Sequence, residues 1–456
     1  MNDKRRPYTM LKPSCRTPAL PLALALAGAV VLAACPGRGG QGTAAAADAD
    51  GAYALAVVAE LAEARYGGRQ AGSPGGRAAG DYLRAELEGF GLSVSFQEFP
   101  ERAAFYEGEP ELRVELPGKA AREYRYRAEY RDLVRGGYEG GAARGPLAPM
   151  DEPGQVLPPG SIALVPYSVF EKIGLDGIAA AGAAGALMEL GAGSVRVKPL
   201  FAGQEGGTLV DPKRGLVALA MDPAAWAELR ASLGTGGATA SVVSPVRFRD
   251  VTGRNIVAAW NGDGGDFKPR VAFMAHYDHV GLDPDGGHFP GALDNASGVG
   301  LVLALAKAFA ADGRRADAAF ILTDAEESGL TGAGAFAEDP GFPLAGVPVI
   351  NIDMVASIRK LDVGVLYSTG QASGALAARV AEVLLGAGFR AGAVGLHYGC
   401  DHAPLARAGA AAVTVNEYDT ADYHTRGDLP PGVDLEELDA ACDALYALAL
   451  ELAAGR

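Results

Sequence analysis

Basic residues are in short supply in this chain, with 40 Lys and Arg against 55 Asp and Glu over 456 residues and a formal net charge of −15. A nucleic-acid polyanion would be repelled, so nucleic acid is not an expected partner. Cysteine is scarcer, with Cys15, Cys35, Cys400 and Cys442 as the whole complement. The first two fall in the N-terminal stretch described next. Cys400 and Cys442 then either form one disulfide or stay as two buried thiols, and the sequence leaves both open. Charged residues are only 21% and hydrophobic ones 49%, which describes a globular chain able to bury a sizeable core. Its length exceeds the size at which one core usually stops growing, so two domains are expected. No internal repeat is visible.

An apolar run from Ala19 to Ala34 follows Lys4, Arg5, Arg6, Lys12 and Arg16 and ends at Leu32-Ala33-Ala34-Cys35. The run is short for a bilayer span and is interrupted by Pro21. It resembles a bacterial lipoprotein signal. Residues 1–34 are then a signal peptide, Cys35 the acylated first residue, and 35–50 a flexible tether. The expected location is the cell envelope, with membrane contact through the lipid on Cys35 only. Arg5-Arg6 suits twin-arginine export less well.

Beyond the tether, apolar residues recur at helical spacing at Leu55, Val58 and Leu61, and again at Tyr82, Leu83 and Leu87 after a Gly-Ser-Pro-Gly turn at 72–75. Two helices around one turn are predicted. Leu92, Val94, Phe96 and Phe99 then alternate as a strand does. Residues 105–250 are richer in turn formers and short alternating runs, with one Ala/Gly-rich helix expected at Gly177–Gly185. Within this segment Gly160-Ser-Ile-Ala-Leu-Val, then Phe170-Glu-Lys, then Ala179-Ala-Ala-Gly-Ala-Ala-Gly-Ala-Leu-Met, resemble the protease-associated domain, a small β-rich insert of several peptidases. From Arg254 on, buried-strand runs at Asn255–Trp260, Val271–Ala275, Ala319–Thr323, Val347–Ile352 and Ala411–Val415 alternate with helical stretches at Gly298–Ala311, Ala375–Leu385 and Leu435–Leu452. That pattern predicts an α/β fold, a mostly parallel mixed sheet sandwiched by helices. The main α/β domain is thus expected from 51–104 and 251–456, interrupted by the smaller β-rich insert.

The sheet organises a set of donors. His276 follows one predicted strand, Glu326 and Glu327 follow another, and Asp353 closes a third. In open α/β sheets ligands bind outside the carboxyl ends of strands, so these groups should meet at one edge. Asp294 precedes a helix, and His424 lies in a loop after the last strand. Two neutral imidazoles and three carboxylates suit zinc.

The ordered motifs His-Tyr-Asp-His-Val-Gly, Asp-Asn-Ala-Ser-Gly-Val, Glu-Glu-Ser-Gly-Leu, Asn-Ile-Asp-Met and Tyr-His-Thr resemble the zinc aminopeptidase family with two co-catalytic metals, which includes the glutamate carboxypeptidases. The resemblance covers 51–100 and 250–456. It implies two zinc ions, with Asp294 bridging both, His424 and Glu327 completing one site, and His276 and Asp353 the other. It also implies peptide substrates, a hydroxide between the metals as nucleophile and Glu326 as the general base. Asp278 matches a carboxylate that orients the imidazole of His276. Asp401, in Cys-Asp-His-Ala-Pro where the family has Ser-Asp-His-x-Pro, either supports the metal site or caps a helix.

Leu293 stands where many relatives carry a second acid. Arg426 follows Tyr-His-Thr where Pro is frequent, and near a cleft it could take a substrate carboxylate. His279, His288 and His397 are expected to be structural or exposed. An exported aminopeptidase is the leading expectation. A carboxypeptidase or a glutaminyl cyclase on the same fold is the alternative, as is a non-catalytic surface domain, although relatives of that kind lose ligands.

Overall fold

The computed structural model describes residues 50–455 apart from 135–136, 192–193, 199–203, 206–207, 210, 234–236 and 261–266. The expected signal peptide, Cys35 and the expected tether up to residue 49 lie outside the described residues. From Gly51 the chain forms the two expected helices, Gly51–Leu61 and Pro74–Gly89. The second begins where its punctuation places it. Ser73 accepts a hydrogen bond from the Gly76 N–H at 3.0 Å, and Pro74 occupies the first turn, where a missing N–H costs nothing.

The main sheet has eight strands, in the order Ser93–Tyr106, Val246–Ala259, Ala318–Thr323, Val271–His276, Pro348–Ile352, Ala411–Asn416, Val363–Leu366 and Ala391–Val394. The four central strands, from Ala318–Thr323 to Ala411–Asn416, run parallel, and each outer one is joined antiparallel to its neighbour, Val246–Ala259 on one side and Val363–Leu366 on the other. The predicted mixed sheet is therefore present, with its parallel part in the middle. Every residue of Val271–His276 and Ala318–Thr323 is buried, which is why these strands read as continuous apolar runs without alternation.

Helix Ser297–Ala311 is apolar almost all round because it is packed between the sheet and the helices Gly51–Leu61 and Leu435–Ala453. The stretch Ala292–Ala311 is long and apolar enough to cross a membrane, yet 94% of its most apolar window is buried inside the protein, as a core helix is. Gly300 permits the close approach of its neighbour, since a Cβ there would sit 2.5 Å from the carbonyl oxygen of Ala54. Phe309 meets the ring of Tyr446 edge-on at 5.1 Å, joining this helix to the C-terminal one.

Strands Ser93–Tyr106 and Val246–Ala259 pair along their whole length, from Ser93 opposite Ala259 to Tyr106 opposite Val246. Between them the chain makes a second lobe around its own eight-stranded sheet, which runs from Arg122–Glu123 at one edge to Tyr130–Asp132 at the other. Both lobes belong to one compact unit, Ala46–Arg456. The expected helix at Gly177–Gly185 is corrected here. A helix kinked at Gly174 ends at Ala180, and Ala183–Glu189 is a strand held between Ser161–Val165 and Val217–Met221. A short run of small apolar residues buried in a parallel sheet carries no period that separates it from a helix.

Candidate active site

Three neighbouring strands deliver donors to one sheet edge. Val271–His276 ends on His276, Ala318–Thr323 runs into the turn holding Glu326 and Glu327, and Pro348–Ile352 is followed by Asp353. The loop after Ala411–Asn416 brings in His424, and Asp294 enters from the turn before helix Ser297–Ala311. All five expected metal ligands converge. His276 Nε2 lies 3.4 Å from Asp353 Oδ1 and 3.5 Å from Asp294 Oδ1, while His424 Nε2 lies 3.1 Å from both Asp294 Oδ2 and Glu327 Oε2. Asp294 thus turns one oxygen to each histidine. Glu326 groups with His276 and Asp353, and Glu327 with the other set. The two adjacent glutamates face different halves of the cluster.

Donors bound to one zinc at about 2.0–2.1 Å in a tetrahedron sit about 3.3 Å from each other. The spacings here match that. The buried Nε2 of His424 has no hydrogen bond among the described residues although two carboxylate oxygens flank it, as expected of a lone pair directed at a cation. The residues therefore fit zinc.

What holds these donors was largely invisible beforehand. Asp428, two residues after Arg426, accepts the N–H groups of Leu293 at 2.8 Å and Asp294 at 3.0 Å. Asn295 donates to Ile352 O at 2.9 Å and accepts from Gly298 and Met354, tying the loop of Asp294 to that of Asp353. Arg69 is completely buried, and its guanidinium donates to the carbonyls of Leu61, Tyr277, Pro290 and Gly291 at 2.6–2.9 Å, with Asp294 O at 3.4 Å. Burial lowers its pKa to about 10, the surrounding carboxylates opposing. Gly291, at φ 57, is required there because a Cβ would fall 2.4 Å from Asp294 O and 2.6 Å from the ring of His279.

Asp278 does more than the motif suggests. Its carboxylate is 3.6 Å from His276 Nδ1 and also accepts the N–H groups of Glu326 and Glu327 at 3.1 and 3.3 Å. It therefore fixes the turn that aims the two glutamates. Asp401 makes no cap bond at the helix His402–Arg407, and instead accepts the hydroxyl of Thr323 at 2.5 Å beside His276. Burial pushes it to about 7.

His279 differs from its expected role. It is buried in the cluster, with Nδ1 3.0 Å from Glu327 Oε1 and 3.8 Å from Asp294 Oδ2, so it is a further donor facing the His424 half. Its place directly after Asp278 in His-Tyr-Asp-His was the available signal. His288 and His397 lie apart, the first on Ala62 O and the second 3.9 Å from Cys400 Sγ. Cys400 and Cys442 are buried free thiols. Arg426 is engaged by Asp283 at 2.9 Å and Asp285 at 2.5 Å, not free for a substrate carboxylate.

The electrostatics follow from crowding acids at a buried edge. Burial drives the Glu326 carboxyl well above the ordinary range, with Glu327 and Asp401 adding to this and His276 opposing. For His424, burial is outweighed by Glu327 and Asp294, which raise its imidazole to about 10. Negative charge in such excess calls for a cation.

An α/β sheet with imidazoles and carboxylates gathered at its strand ends defines a metallohydrolase. Residues 255–449 match Peptidase family M28, and the site they carry is that of a zinc-dependent metallopeptidase. Among solved structures the chain is similar to an aminopeptidase from Aneurinibacillus sp. strain AM-1, at 21% identity and a TM-score of 0.63, covering 89% of this chain and 94% of that one. It is also similar to BSAP, a zinc aminopeptidase from Bacillus subtilis, at 20% identity and a TM-score of 0.64, over 88% and 94%. A Peptidase M28 precursor from Shewanella amazonensis SB2B matches at 16% and a TM-score of 0.61, over 88% and 93%. No curated protein matches in sequence.

Proposed function

We propose that the protein is an exported aminopeptidase that uses two zinc ions to remove N-terminal residues from peptides. The observation that carries this is the orientation of Asp294, with Oδ1 facing His276 and Oδ2 facing His424 and a further carboxylate, Asp353 or Glu327, completing each half. Zinc held by these residues would polarise the scissile carbonyl and lower the pKa of water at the site. Glu326, with a carboxyl raised by burial, takes the proton from water and passes it to the leaving amine. Asp278 keeps Glu326 and Glu327 turned apart for these separate tasks.

Two observations favour the amino end of the substrate. The Aneurinibacillus and Bacillus structures of similar fold are described as aminopeptidases. Arg426, two residues after His424, has its charge met by two aspartates, which disfavours its holding a C-terminal carboxylate. We read the second lobe as a protease-associated domain and the N-terminus as a lipoprotein signal that anchors the enzyme at the cell envelope through Cys35.

A zinc-dependent hydrolysis panel tests the activity by comparing peptides with free and blocked N-termini and free and blocked C-termini. Cleavage that requires a free N-terminus supports the assignment. Cleavage that requires a free C-terminus makes the enzyme a carboxypeptidase, and cyclisation of N-terminal glutamine without hydrolysis makes it a glutaminyl cyclase.

A further inference from the structure

His424 is the donor with the least support from its own element. It lies in a loop well past the strand Ala411–Asn416, with φ 51, a conformation that costs a non-glycine residue energy and persists only when its surroundings enforce it. Those surroundings come partly from the second lobe. The N–H of Lys198 donates to His424 O at 2.9 Å, and Lys198 O lies 3.3 Å from His424 Nδ1. One bond holds the backbone and the other the ring. With its proton on Nδ1 for this carbonyl, the imidazole leaves the lone pair of Nε2 directed between Asp294 and Glu327.

Lys198 is seated with equal care. Its side chain is buried, and the ammonium donates to the carbonyls of Val280 and of Leu282, the latter at 2.7 Å. Those carbonyls belong to the loop that follows His276, Asp278 and His279. The ammonium also lies over the rings of Tyr106 and Phe289, at 5.2 and 5.3 Å. On the side of the second lobe, Val197 O accepts from both Arg127 and Arg131 at 3.0 Å. Arg127 in turn pairs with buried Asp283 at 2.7 Å in the main lobe.

We propose that Lys198 is a positioning residue of the metal centre, so that the second lobe completes the zinc site of His424 and is not only an appendage to it. This rests on the two-zinc reading above. The ammonium clamps the segment 194–198 onto the loop after His276, and the backbone of Lys198 then fixes His424. Without the ammonium, the buried carbonyl of Val280 and the part-buried one of Leu282 lose this donor and the segment loses its seat. The main-sheet donors His276 and Asp353 need none of this, since strand pairing sets them.

Zinc content and stepwise zinc affinity, read by competition with a chelator, test this on the full chain. The native protein should bind two zinc ions and His424→Ala one. Fewer than two in the native protein, or two in His424→Ala, refutes the two-zinc reading on which the proposal stands. Given the expected pair of results, Lys198→Met should weaken one binding step by about 10–100-fold and leave the other unchanged. Both steps unchanged, or both weakened together, overturns the proposal. Should Lys198→Met fail to fold, hydrogen exchange on the native protein gives the second measurement. By linkage the amide of Lys198 must gain protection when zinc fills the His424 site. Equal protection with and without zinc overturns the proposal as well.

Discussion

His276 and Asp353 leave adjacent parallel strands at the point where the ladder ends, whereas His424 and Glu327 are carried by loops on either side of them. The first pair inherits its position from the sheet. The second is held by groups distant in sequence, Asp278 under the glutamate turn and the Lys198 backbone behind His424, while Asp428 holds Asp294 between the two halves. The His424 half is accordingly where long-range braces should matter most.

The largest expected effect cuts across both halves. Glu326→Gln keeps the size of the side chain and removes its basicity, so kcat should fall by roughly 10²–10⁴ while two zinc ions remain bound. Zinc loss in this variant would mean that Glu326 and Glu327 have exchanged roles. Asp428→Asn comes next. It weakens the acceptor for two N–H groups at the bridging residue, and zinc affinity should drop about 10–100-fold as measured by chelator competition. His279→Ala should affect only the step assigned to the His424 half, by about tenfold, because its imidazole faces Glu327 and Asp294 and not Asp353. An equal loss at both steps would erase the distinction between the halves.

The smallest effect concerns stability. His402 is buried between Thr414, at 2.7 Å, and His397 O, and burial lowers its pKa to about 4. The unfolded chain, with an ordinary imidazole, takes up a proton at a higher pH than the folded one does. The stability from neutral His402 is therefore complete above about pH 6.5 and is lost as pH falls from there toward about 4. Thermal unfolding of the native protein minus that of His402→Gln should show this slope in that window, and parallel curves would refute it.

The legibility of the sequence divides along the same line. Strand-end donors sit beside apolar runs, so His276, Asp353 and the Glu326-Glu327 turn could be placed from hydrophobic pattern alone, and their convergence followed from the parallel sheet. Asp294 and His424 needed the family motifs. Braces such as Arg69, Asp428 and Lys198 carry no local signal, because their partners are backbone carbonyls and N–H groups far along the chain. His279 is expected to be structural or exposed because a histidine next to a motif reads the same whether it faces the cluster or the core. The strands Val363–Leu366 and Ala391–Val394 carry little signal because each is only four residues long and contains a glycine, too short a run to show a period.

The central claim is that the five donors cage two cations with Asp294 between them. Anomalous diffraction at the zinc edge from crystals of the zinc-loaded protein measures this directly. The account predicts two peaks, one beside His276 and Asp353 and one beside His424 and Glu327, each within bonding distance of a different oxygen of Asp294. A single peak, or peaks that do not share Asp294, would contradict it.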